Sequence, residues 1–210
     1  FQMSGGTLAG TGTLTVTSQL VWTGGTMSGA ATTNANGGIS FNGDNSKDLT
    51  FSRVLNTAGT TTWAGGGGLR VGTGASITNN GTWDCQSDAA LSLASGGTAA
   101  FNNSGSGTFK KSAGAGTTTV IIPFNNSGSV DVQSGTINFS GGGTSPGAFT
   151  GSAGTLQFGG GTHDLGAASS VSVSTVVLSG GTVNVDGSYT ATSGTTVSGA
   201  TANFDPAGTV

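Results

Sequence analysis

Apolar and polar positions alternate along this chain in short runs. Leu14-Thr15-Val16, Trp83-Asp84-Cys85, Val130-Asp131-Val132 and Leu156-Gln157-Phe158 each place apolar residues two apart, and each run follows a Gly and a Ser or Thr. A period of two is the mark of a strand buried on one face. No window carries apolar residues at i, i+3, i+4 and i+7, so no helix is predicted. A second phrase, Gly-Gly-Thr, recurs at Gly5-Gly6-Thr7, Gly24-Gly25-Thr26, Gly96-Gly97-Thr98 and Gly180-Gly181-Thr182. It reads as a corner leading into the next alternation.

The runs repeat at a fixed interval. Residues 79–149 carry three copies of one pattern, opening on Asn79-Asn80, Asn102-Asn103 and Asn125-Asn126 at steps of 23 residues. Asn56 stands 23 residues before Asn79, and Asn34 stands 22 before Asn56. Such a period denotes stacked repeats. A unit holding two or three strands and Gly-rich corners is one turn of a parallel β-solenoid. Hexapeptide helices need a shorter period of about 18 residues and a hexad signal that is absent. The expectation is therefore an all-β protein: a right-handed parallel β-helix with about 23 residues per turn and roughly nine turns. It would form one domain over residues 1–210 and a rod on the order of 40 Å long.

The period predicts a register. Leu14, Trp83, Phe109, Val130 and Leu156 point inward on the first strand of each turn, followed by Val16, Cys85, Val132 and Phe158. Phe101, Phe124 and Phe149 form a second interior stack, with Ile77 before them. Asn34, Asn56, Asn79, Asn102 and Asn125 form an asparagine ladder at one corner. Asp84, Lys110 and Asp131 project outward as a charge ladder of alternating sign. Residues 37–54 fit this register worst.

Composition sharpens the picture. Glycine supplies 42 of 210 residues, which taken alone describes a flexible linker. A linker does not place Trp83, Phe109 and Val130 at matching points of successive repeats, so the alternation implies a core. Five basic residues and a net charge of −3 speak against nucleic acid, which needs clustered Lys and Arg. Lys110-Lys111 is the only basic run. No run of 18 apolar residues is present to span a membrane. The single cysteine, Cys85, excludes an intramolecular disulfide and follows the alternation inward, as a small and inert core residue.

Candidate chemistry is sparse. Polysaccharide-active β-helix enzymes need clustered carboxylates, whereas here Lys110 separates Asp84 from Asp131. Asp44-Asn45-Ser46-Lys47-Asp48 lacks the Gly and Glu of a calcium loop and reads as a polar turn. His163 beside Asp164 has no Ser or Cys at recognisable spacing and reads as a surface residue. Asn80, Asn102 and Asn125 each open a formal glycosylation sequence, but Asn recurs at the period without the Ser or Thr, which favours the ladder. Thr13, Thr15, Thr17 and Thr60 to Thr62 offer a flat hydroxyl array. No catalytic residue, metal or cofactor is expected.

These phrases, with Phe101-Asn102-Asn103-Ser104-Gly105, Phe124-Asn125-Asn126-Ser127-Gly128 and Ser179-Gly180-Gly181-Thr182, resemble the β-strand repeats of large bacterial surface proteins. Those are the adhesins of the filamentous-haemagglutinin-like class. The resemblance implies an extracellular, non-catalytic fibre, stalk or adhesin segment. A binding module for a glycan, host surface or ice is the alternative, and a β-helix enzyme a distant one. Neither end carries a cap, with Pro206 the only obvious strand breaker near the last turn. The expectation is that the ends pair with flanking repeats or with an identical subunit stacked end to end.

Overall fold

The computed structural model describes residues 1–94 and 96–205, which leaves Pro206 outside the described residues. The fold is an all-β, right-handed parallel β-solenoid of about ten turns, with no helix among the described residues. Each turn lays strands on three faces. In one turn these are Thr82–Cys85, Leu91–Leu93 and Ala100–Asn103. Every pairing between turns is parallel, as in Thr82↔Thr108 on the first face and Ser76↔Ala100 on the third.

The mean turn is about 21 residues, shorter than the central repeats. In the last three turns the first and second faces run on as single strands, Ala148–Phe158, Ser170–Leu178 and Ser188–Val197. A register shift between Gly151 and Thr155 takes the place of the corner there. Corners elsewhere are tight: a Cβ on Gly128 would collide with the carbonyl oxygen of Gly107 in the turn below. Only glycine lets the two backbones approach that closely.

The interior is one column of apolar side chains along the axis. Its spine is aromatic. Trp22, Phe41, Trp63, Trp83, Phe101, Phe124, Phe139 and Phe158 succeed one another at centroid separations between 4.4 and 6.3 Å. Rings stacked or edge-on at such distances add about 0.5–1.5 kcal/mol per pair beyond the area they bury.

The expected stacks are buried except at the half-buried Leu14, but their membership differs. Trp83 registers with Phe109, Phe109 with Val130, and Val130 with Phe149. Phe149 therefore belongs to the first face and not with Phe101 and Phe124. Leu156 registers with Ile137 on the second face, because its long strand crosses from one face to the next. Leu14 sits on the third face, heading a column that continues through Thr33, Leu55, Ile77, Phe101 and Phe124. Above Phe124 that column meets backbone, with the Phe124 N–H donating to the Gly142 carbonyl at 2.9 Å. Phe139 fills the space from the second face, 4.4 Å from Phe124.

Cys85 is buried, and burial pushes its thiol up to about 12. The folded protein is expected to resist iodoacetamide and to label fully in denaturant. Rapid labelling without denaturant would show that this turn opens.

His163 is a correction to the surface reading. It is buried, its ring 4.7 Å from that of Phe158, with Nε2–H donating to the Gly160 carbonyl at 2.9 Å. It follows the outward Thr162 in the strand Thr162–Leu165, so the alternation turns it inward. Burial lowers its pKa below the ordinary value of 6.5. The neutral ring is the folded form, so its contribution to stability is present above the unfolded value. That contribution is lost as pH falls through the lowered folded value. Denaturant midpoints measured between roughly pH 7.5 and 5 should fall with pH, and His163→Phe should flatten the slope.

Candidate functional site

Two asparagine columns run along the third face, one inside and one outside. Asn79, Asn103 and Asn126 are buried. Asn79 Nδ2 donates to Asn103 Oδ1 at 2.8 Å, and Asn103 Nδ2 to Asn126 Oδ1 at 2.9 Å. Thr57 Oγ1 heads this column, donating to Asn79 Oδ1 at 3.0 Å. The same amides donate to corner carbonyls of Gly81, Thr108, Gly107 and Ser129. The Gly81 and Gly107 carbonyls also accept backbone N–H groups, from Thr108 and Ser129 on the next turn, so the amides supply a second donor to each.

The outer column is Asn34, Asn56, Thr78, Asn102 and Asn125, all half-buried. Asn56 Nδ2 donates to Asn34 Oδ1 and Asn125 Nδ2 to Asn102 Oδ1, both at 2.9 Å. The single ladder expected from the sequence is therefore divided: Asn79 belongs to the inner column, and the other four stand outside. The cause is corner length. Asn79 pairs with Asn103, 24 residues on, so the Asn79-Asn80 pair lies one position out of phase with Asn102-Asn103. Asn80 falls in the exposed corner.

Asp84, Lys110 and Asp131 share one column, in register on consecutive turns. Within this column Asp84 is nevertheless buried, covered by its own partners. Its carboxylate accepts from Ser112 Oγ at 2.6 Å and Gln86 Nε2 at 3.0 Å, and Lys110 Nζ lies 3.5 Å away. Asp131 accepts from Gln133 Nε2 at 2.6 Å. Asp84 is engaged by Gln86 on its own turn and by Ser112 and Lys110 on the next, Asp131 by Gln133 on its own, and Lys110 stands between the two carboxylates.

The threonines do not form one array. Thr15 is exposed on the third face, but Thr61 turns inward and its Oγ1 accepts the Ile39 N–H at 3.2 Å. Strict alternation forbids Thr60, Thr61 and Thr62 from sharing a side.

Three of the five basic residues are buried: Lys47, Arg53 and Lys111. Lys111 registers with Cys85. Its three protons go to Asp88 Oδ1 at 2.7 Å, the Ser87 carbonyl at 3.0 Å and Thr118 Oγ1 at 3.1 Å. The hydrogen bond from Lys111 holds the Asp88 carboxyl below its usual range. Lys47 Nζ donates to the Asn45 carbonyl at 2.8 Å, and burial lowers its pKa. Arg53 Nη2 and Nε donate to Thr33 Oγ1 at 2.6 and 3.1 Å, and burial lowers its pKa too. Alternation signals the two lysines: Lys111 lies two after Phe109 and Lys47 two before Leu49. Arg53 lies in a corner, where no periodicity points to it.

Among the described residues no three of His, Cys, Asp or Glu gather as metal ligands. Compared with protein-family models, curated proteins and solved structures, the chain finds no match.

Proposed function

We propose that this chain is a non-catalytic structural β-solenoid, a fibre, stalk or adhesin segment at a bacterial surface. Its turns would continue into flanking repeats or onto a second copy. The observation that carries this reading is the direction of the polar bonds. The asparagine ladders and the Lys111–Asp88 clamp all join one turn to the next along the axis. Stability built from such nearest-neighbour contacts suits an element that sets length and bears load. The surface location rests on the likeness of the repeat phrases to those of bacterial surface proteins.

Immunogold electron microscopy tests it, using an antibody to the folded chain on intact producing cells. Gold along thin surface projections is expected. Gold confined to the cell interior would overturn the proposal.

A further inference from the structure

Among the described residues three non-glycine residues have positive φ, and all three lie at one corner, between the second and third faces. They are Phe51 at 55°, Ser52 at 59° and Thr73 at 54°. On successive turns the corner stacks Phe51-Ser52, Thr73-Gly74 and Gly96-Gly97, joined by Ser52 N–H to the Thr73 carbonyl and Thr73 N–H to the Gly96 carbonyl. Gly74, Gly96 and Gly97 take φ between 77° and 80°. The corner thus demands two left-handed residues per turn, a demand the highest turn meets with a glycine pair. In the lowest turn the first of the two is a phenylalanine, whose ring points outward and is 61% exposed. A bulky residue held left-handed is strained, and such strain clusters where a side chain must be presented.

Phe51 stands beside a groove of about 380 Å³ on the second face. Leu93, 49% exposed, also lines it. Asp48 and Arg70 lie on the same outward column in register, and Arg70 Nε and Nη2 donate to the two Asp48 oxygens at 2.6 and 2.7 Å. Thr26 and Thr50 also line it. The Thr50 hydroxyl is buried and has no hydrogen-bond partner, a group that ordinarily acquires one.

The chemistry of this groove is specific. The ion pair carries no net charge, yet its carboxylate keeps free lone pairs and its guanidinium keeps free N–H groups. Adjacent hydroxyls, each both donor and acceptor, match such a pair. An anion would meet Asp48 and a cation Arg70. A protein partner needs roughly 800 Å² per side, far more than the groove supplies. The apolar side chains suit the C–H face of a ring.

We propose that this groove binds a neutral saccharide. Phe51 is the platform for one sugar face, and the Asp48–Arg70 pair bonds two neighbouring hydroxyls. The site is independent of the structural role proposed above and stands whether or not that role holds.

Saturation-transfer difference NMR on the full chain tests it. The probes are the methyl glycosides of glucose, galactose, mannose and N-acetylglucosamine, with the charged methyl glycoside of N-acetylneuraminic acid as control. At least one neutral glycoside should show transfer. Phe51→Gly removes the ring and suits the left-handed corner, so its melting temperature should not fall while the signal is lost. Arg70→Gln should weaken the same glycoside about tenfold or more, and Thr196→Ala, far along the rod, should not. Absence of transfer to every neutral glycoside, transfer to the charged one alone, or transfer unchanged in Phe51→Gly would each overturn the proposal.

Discussion

Replacing Phe124 by alanine is expected to lower the unfolding free energy by about 3–5 kcal/mol. The ring is buried and lies 5.1 Å from Phe101, 5.1 Å from Phe109 and 4.4 Å from Phe139. It therefore joins all three faces at one level of the rod. Its neighbours are fixed by parallel ladders on their own faces and cannot collapse into the space it leaves. Urea unfolding followed by far-ultraviolet circular dichroism measures the loss. A change below about 1 kcal/mol would mean that the turn repacks around the gap.

The second large effect is expected at Asn103, and it separates the two asparagine columns. Asn103 Nδ2 serves Asn126 Oδ1 and the carbonyls of Gly107 and Ser129, while its Oδ1 accepts from Asn79. Asn103→Ala removes hydrogen bonds in three successive turns and takes from the buried Asn126 Oδ1 its amide donor, and each group left unsatisfied costs about 1–3 kcal/mol. A total of about 3 kcal/mol or more is expected, again from urea midpoints. Asn102→Ala, one residue away, should cost under about 1 kcal/mol, because water reaches the half-exposed outer column. Equal losses at the two positions would contradict the division into an inner and an outer ladder.

The architecture was legible because alternation and period are both local. Trp83-Asp84-Cys85 declares its inward face without knowledge of any neighbour. The membership of each stack was not legible, because it depends on how many residues each corner holds. Two residues separate Asn126 from Ser129, but four separate Asn103 from Thr108. A 23-residue ruler laid across such corners drifts by one position, and in a strand one position exchanges inside for outside. Phe149 was displaced in the same manner, since the turn after Phe124 enters its third face through Gly143–Thr144 with no aromatic at that level. The buried histidine and cations were hidden by residue type. His163, Lys47 and Lys111 follow the alternation as faithfully as any valine, but charge and hydrogen-bonding capacity ordinarily argue for the surface. What allows them inside is the ring of corner carbonyls and hydroxyls that a solenoid offers at every level. The groove beside Phe51 was invisible in the sequence because the Asp48–Arg70 pair joins residues 22 apart. Only the registered stack brings them together.

Burying three cations changes what another molecule meets. Arg70 and Lys110 are the only side-chain cations left near solvent, and each already faces an aspartate. The outer sheath of the rod is thus more acidic than the formal charge of −3 conveys. Two rods approaching flank to flank present carboxylates without opposing ammonium or guanidinium groups to neutralise them. Counterions must do that work, over a screening length of about 10 Å at 0.1 M salt. Any lateral association of the rods is accordingly expected to depend on the medium, opposed in dilute buffer and less so in brine.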